Sequence, residues 1–143
     1  FSLFAHRVHD VLTTIAFVRN HEYTPEAVEL VGLGPMGPIA VAARAQARGA
    51  VTRAAVDTSA FRYRSVRDIH DPRFLPGGAR YDDLPGMLAV AAPAPLWLAG
   101  EGREAPEPVR AAYASSASSL TVYEGPPGKR SQAAVKWLLD RQH

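Results

Sequence analysis

The sequence predicts an α/β protein: a mostly parallel sheet with helices on both faces. Three observations carry that prediction. Short apolar runs alternate with segments of helical spacing along the whole chain, and parallel strands need just such helical crossovers between them. The apolar runs end in turns that carry Gly, Asp or Glu. The 143 residues are 47% hydrophobic and 21% charged, with aromatic side chains spread from end to end, which suits a packed core rather than disorder.

The elements follow in order. From Phe4 to about Asn20, residues Phe4, Val8, Val11, Leu12, Ile15 and Val18 recur at helical spacing between polar neighbours, an amphipathic helix. Thr24-Pro25-Glu26 marks a turn, and Val28 to Val31 reads as a buried strand running into the tight turn Gly32-Leu33-Gly34-Pro35-Met36-Gly37. A helix from Ile39 to about Arg48 follows, with an alanine-rich face, Pro38 in its first turn and Gly49 as its C-terminal cap. Thr52 to Val56 is the next strand, with Asp57 at its exit. Phe61 to about Pro85 loses all periodicity and is rich in Arg, Asp, Gly and Pro, an excursion above the sheet that runs into a short helix at Leu84 to Ala91. Loops longer than about 15 residues are usually functional or disordered. Pro95 to Ala99 is the third strand, Pro106 to Ala114 a helix, and Leu120 to Tyr123 the fourth strand. Ser131 to Arg141 is a closing helix with Val135, Trp137 and Leu138 toward the core.

Composition narrows the function classes. The net charge is +2, and all the basic residues except Lys129 and Lys136 are arginine, without a basic patch that would imply nucleic acid. No apolar run approaches the roughly 18 residues of a membrane span. The absence of Cys excludes disulfides, thiolate metal sites and a Cys nucleophile, but it fits any compartment. The length is that of one domain, so residues 1–143 are expected to form a single α/β unit. The opening FSLFAHRVHD, already inside a helical pattern, reads as the start of a fragment. Ligands of parallel sheets bind beyond the carboxyl ends of the strands. The residues of interest therefore fall at 32 to 37, 57 to 60, 99 to 104 and 124 to 129.

The turn at 32 to 37 admits two readings. Gly32-x-Gly34-x-x-Gly37 between a strand and a helix, with Asp57 at the end of the next strand, has the form of an NAD(P)-binding Rossmann fingerprint. It resembles the opening motif of hydroxyacid dehydrogenases of the 6-phosphogluconate type. In that reading Gly34 lets backbone approach a pyrophosphate and Asp57 accepts from ribose hydroxyls.

The second reading uses the whole chain. RVHDVLTTIAFVRNHEYTPEAVELVGLG is similar to the helix, turn and nucleophile strand of α/β-hydrolases of the acetyl xylan esterase and dienelactone hydrolase kind. DDLPGMLAVAAPAPLWLAGEGRE is similar to their helix, strand and acid loop, and SLTVYEGPPGKRSQAAVKWLL to their last strand, histidine loop and terminal helix. The resemblance implies the C-terminal half of an α/β-hydrolase fold, lacking its N-terminal half.

Carried over residue by residue, the resemblance implies a degenerate active site. In the G-x-S-x-G elbow the Ser sits on a strained strand-to-helix turn and the next backbone N–H enters the oxyanion hole. Gly34 falls at the Ser position and has no hydroxyl; Pro35 follows and has no N–H. Met36 replaces the motif's second glycine, with Gly37 behind it. Glu101 or Glu104 stands where the acid belongs, and the loop Glu124 to Lys129 contains no His for a general base. The catalytic machinery of a serine esterase is therefore expected to be missing, and no cofactor or metal is implied.

The remaining polar residues are weaker candidates. His6 and His9 are too close for i, i+4 metal ligation from one helix face, and His21 and His143 read as surface residues. His70 and Asp71 are a candidate orienting pair or simple loop packing. Arg62, Arg64, Arg67, Arg73 and Arg80, with Tyr63 and Tyr81, suit a carbohydrate or small anionic ligand, or else pair with Asp68, Asp71, Asp82 and Asp83. Asp57 either binds a ligand or caps the loop after its strand. Ser115, Ser116, Ser118 and Ser119 form a polar turn.

The expected function is thus a non-catalytic binding or structural half of a carboxylic ester hydrolase-like protein, partnered by its N-terminal half or by another chain. On its own, half a parallel sheet exposes an edge and is expected to aggregate. The resemblance is compatible with a secreted or periplasmic location, and the residues themselves do not choose a compartment.

Overall fold

The computed structural model describes residues 2–140, so Arg141 and His143 lie outside the described residues. Helix α1 (Leu3–Arg19) begins at Ser2, whose hydroxyl accepts from the Ala5 N–H, and it buries Phe4, Val8 and Ile15. Strand β1 (Glu29–Gly32) leads through a 3₁₀ turn at Gly34–Met36 into α2 (Gly37–Ala47), and β2 (Arg53–Asp57) follows. The excursion contains a 3₁₀ turn at Tyr63–Ser65 and ends in α3 (Asp83–Val90). Strand β3 (Leu96–Ala99), α4 (Glu107–Ala112), a serine-bearing 3₁₀ segment at Ala114–Ser119, β4 (Leu120–Val122) and α5 (Arg130–Leu139) complete the order.

The four strands pair in parallel in the order β1-β2-β3-β4, with Leu30 beside Ala54, Ala54 beside Leu96 and Leu96 beside Leu120. Alternate residues of the inner strands face opposite layers, as a period of two requires. Ala54, Val56, Leu96 and Leu98 join Phe4, Val8, Ile39, Val41, Leu84, Leu88 and Val109 in the larger core. Ala55, Trp97 and Ala99 meet Ala134 and Trp137 of α5 on the other face. All five residues of β2 are buried, as befits a strand covered on both faces. The α/β class and the parallel sheet with helices on both faces are therefore present.

Two local expectations are corrected. Gly49 does not cap α2: the helix ends at Ala47 and Arg48 takes the left-handed conformation at φ +53. Gly49 falls instead inside the following 3₁₀ turn, Arg48–Ala50. Val135 is 50% exposed because the side of α5 that meets the sheet carries Ala134 and Trp137. The guanidinium of Arg53, reaching from β2, donates to the Leu138 and Asp140 carbonyls at the end of α5 and lies over the Trp137 ring. That cation satisfies carbonyls that a helix terminus leaves without partners.

A second buried guanidinium fastens the opposite layer. Arg44 of α2 is 2% exposed and donates to the Leu88 and Ala94 carbonyls and the Tyr113 hydroxyl, joining α2, α3 and the end of α4. All three partners are neutral.

Candidate functional site at the strand ends

The turn after β1 is set by two close approaches. A Cβ on Gly32 would lie 2.3 Å from the Ala40 Cβ, and one on Gly37 would lie 1.8 Å from the Asp57 carbonyl oxygen. Both glycines let α2 lie directly against β1 and the end of β2. Gly34 differs: it adopts φ +56 and a Cβ there would meet nothing within 4 Å. Residue 34 thus occupies a left-handed bend whose side-chain direction is empty space. Pro35 follows without an N–H, and Pro38 removes another donor at the start of α2.

Asp57 leaves β2 buried and fully engaged. Its carboxylate accepts from the Ser59 N–H at 2.9 Å and from the Ser59 hydroxyl at 3.3 Å, and it faces the Arg130 guanidinium at 3.3 Å. It caps its own loop, one of the two roles anticipated for it. Arg130 was not singled out by the sequence. It opens α5 directly after the loop that lacks a histidine, so the cation reaching back over the sheet from this place is an arginine. The signal was available, since the start of a helix that follows a parallel strand lies at the level of the other strands' exits.

Ser59 and Ala60 both hold positive φ, +48 and +57, an uncommon pair of left-handed residues without glycine. Gly100 explains the fit from the other side, because a Cβ there would stand 2.4 Å from the Ser59 nitrogen. The loop after β3 supplies Glu101, which receives both ends of the Arg62 guanidinium, at 3.0 and 2.7 Å, as well as the Thr58 hydroxyl. That bond to Glu101 also holds the Arg62 guanidinium above its ordinary pKa. Glu101 is consequently a structural anchor for the excursion. Glu104 is exposed, 3.6 Å from the Arg110 guanidinium, and is not among the residues lining the strand-end cleft.

The excursion is held down by carboxylates. Buried Asp83 accepts from the main-chain N–H groups of Tyr63, Arg64 and Leu84 and from the Arg64 guanidinium. Burial alone would raise its carboxyl, but the four donors outweigh that and hold it below the ordinary carboxylate range. His70 and Asp71 do not pair with each other. The exposed His70 ring lies 3.1 Å from Asp68, while Asp71 takes the Arg73 guanidinium at 3.0 and 2.7 Å. Those Arg73 bonds bring Asp71 down to about 2. Of the anticipated Arg–Asp pairs, Arg64–Asp83 and Arg73–Asp71 form, whereas Arg62 turns to Glu101.

Together these loops line an open cleft of about 580 Å³ bordered by Gly34, Pro35, Pro38, Thr58, Ser59, Ala60, Phe61, Ser65 and Arg73. Arg73 is its charged lining residue, and it stands over the Phe61 ring at 5.7 Å. Ser65 already donates to the Arg62 carbonyl at 2.7 Å. The cleft offers guanidinium N–H groups, hydroxyl oxygens and an aromatic ring between proline walls. Among the described residues, no His is part of this lining. Among the described residues no group of three or more His, Asp or Glu is placed to hold a metal ion, and no helix is long and apolar enough to cross a membrane.

Fold and site together define an α/β protein with a polar cleft at the carboxyl ends of a four-stranded parallel sheet. No family model, curated protein or solved structure matches the chain.

Proposed function

We propose that the chain is the C-terminal half of an α/β-hydrolase-like protein of the acetyl xylan esterase type, binding a small ligand at its strand ends without hydrolysing it. The observation that carries this reading is Gly34. It supplies the left-handed bend between strand and helix that an elbow nucleophile requires, with unfilled space where the side chain would project. Glycine holds that conformation at least cost. Pro35 offers no donor to an oxyanion, a contribution worth about 3 kcal/mol where it exists. The acid position holds Glu101, engaged by Arg62 and Thr58, and the place of the histidine loop leads to Arg130. Arg73, Ser59, Ser65 and Phe61 favour a hydroxylated or anionic small molecule, carbohydrate included. The partner that completes such a protein is its N-terminal half or another chain.

The strand order weighs against the nicotinamide reading. A dinucleotide fold reverses direction at its first strand, so that its fourth strand lies beside its first; here β4 lies beside β3. Asp57 is also engaged by Ser59 and Arg130 rather than presented to a ribose. Two assays test the proposal together. Aryl acetate hydrolysis by the protein is expected to equal the buffer rate, and NADH fluorescence is expected to stay unchanged on titration. Turnover in the first, or enhanced fluorescence in the second, overturns it.

A further inference from the structure

The hydrogen bonds around the strand-end cleft are one-sided. Its hydroxyl groups spend their hydrogens within the protein: Ser65 donates to the Arg62 carbonyl at 2.7 Å, Ser59 to the Asp57 carboxylate at 3.3 Å, and Thr58 to Glu101. Main-chain N–H groups around them are spent as well. Ser59 donates to Asp57, Ala60 to the Thr58 hydroxyl, Phe61 to the Thr58 carbonyl and Ser65 to the Arg62 carbonyl, while Pro35 and Pro38 carry no N–H. Thr58 is buried and its oxygen already takes Ala60, whereas Ser59 and Ser65 are exposed and keep lone pairs to offer.

Arg73 has the opposite character. Asp71 takes its Nε at 3.0 Å and its Nη2 at 2.7 Å, and the guanidinium lies 5.7 Å from the centre of the Phe61 ring. Held from two sides, it leaves Nη1 with no acceptor among the described residues. It is thus the side chain of the lining with hydrogens to give, and a guanidinium edge suits a carboxylate. Asp71 already offsets its charge, so a singly charged anion matches it better than a doubly charged one. No Asp or Glu stands in the lining to meet an ammonium group, so the hydrogens that Ser59 and Ser65 accept come from neutral hydroxyls.

We propose that the cleft takes a small hydroxy acid, one molecule that answers both halves of the lining: its carboxylate accepts from Arg73 Nη1 while its hydroxyl groups donate to the Ser59 and Ser65 oxygens. The inference rests on the reading of this cleft as a ligand site and narrows the ligand from hydroxylated or anionic to both at once. A neutral polyol leaves the Arg73 hydrogens without an acceptor. A plain carboxylate sets carbon against the serine oxygens. Each is the poorer ligand, because a polar group that gives up water must regain a partner.

The test titrates probes of one carbon-chain length, glycerate, propanoate, glycerol and free serine, into isotope-labelled protein at neutral pH. Glycerate is expected to shift the amides of Ser59, Ala60, Ser65 and Arg73, to bind at least about tenfold tighter than each of the others, and to weaken as salt is raised. Arg73→Gln changes an exposed side chain and is expected to bring glycerate down to the affinity of glycerol while glycerol itself is unaffected. Ser65→Ala is expected to weaken glycerate and leave propanoate unchanged, a split that a merely structural loss would not give. Propanoate, glycerol or serine binding as tightly as glycerate, or either variant keeping full affinity for glycerate, overturns this inference while the cleft stands as a ligand site. Shifts by none of the probes, or shifts confined to residues outside the cleft, remove the ligand site and this inference with it.

Discussion

Gly37 rests against the main-chain carbonyl of Asp57 so closely that a methyl group on residue 37 would stand 1.8 Å from that oxygen. Neither neighbour has room to yield. Gly37 starts α2, and Asp57 is fixed by Ser59 and Arg130. Gly37→Ala is therefore expected to lower stability by about 1–3 kcal/mol, as overpacking does, read as a fall in the urea midpoint at constant slope. Gly34→Ala has open space, and its cost is the left-handed conformation alone, about 1–2 kcal/mol. A larger loss at Gly34 than at Gly37 would contradict the geometry of the turn.

Gly34→Ser puts a hydroxyl into the cleft but brings no base and no oxyanion donor with it. Its aryl acetate hydrolysis is expected to remain at the buffer rate. Measurable turnover by this single variant would show that the remaining groups suffice, and the account of the cleft as non-catalytic would fail.

Asp83 sets the acid limit of the excursion. Its carboxyl sits below the ordinary range in the folded protein, so its contribution is fully present above the unfolded value of about 3.9. It is lost as pH falls through the lower folded value. Asp83→Asn keeps the shape but weakens the bonds from Tyr63, Arg64 and Leu84, at a cost of about 2–4 kcal/mol at neutral pH. Between pH 6 and pH 3 the wild-type urea midpoint is expected to fall further than that of the variant. Parallel falls would remove Asp83 as the cause.

Arg44 and Tyr113 act as a unit. The Tyr113 hydroxyl receives the Arg44 guanidinium at 2.8 Å and donates to the Ala94 carbonyl at 2.6 Å. Tyr113→Phe is expected to cost about 1–2 kcal/mol. Arg44→Met takes a buried donor from the Leu88 carbonyl and from the Tyr113 hydroxyl and leaves the Ala94 carbonyl to Tyr113 alone, and is expected to cost more, about 3 kcal/mol. The double variant should be less destabilised than the two losses added together, since each removes the same bond. Strict additivity in denaturant titrations would mean that the shared bond contributes nothing.

The strands and helices were legible because their signals are periodic and local. Phe4, Val8 and Ile15 mark one helix face, and Leu96 to Ala99 marks a strand covered on both sides. That Gly34, Thr58, Ser59 and Ala60 would meet beyond the strand ends was equally legible, since turns at the carboxyl ends of parallel strands lie side by side. What escaped was which charge meets which. Arg62 finds Glu101 across the sheet rather than a nearby aspartate, and Arg130 finds Asp57 from the far end of the chain. No spacing rule encodes such encounters. The left-handed pair Ser59 and Ala60 escaped for a related reason: neither residue type advertises positive φ, and the constraint comes from Gly100 on another strand's loop.

Each strand of this sheet lies beside the strand made just before it. A chain leaving the ribosome can therefore lay the layer down in the order of synthesis, never waiting for a distant partner to be translated. The slow joint is between β2 and β3, where the whole excursion must loop out before Ala54 meets Leu96. The Arg62–Glu101 and Arg64–Asp83 clasps close across or within that loop. Lengthening it should retard refolding far more than it lowers equilibrium stability.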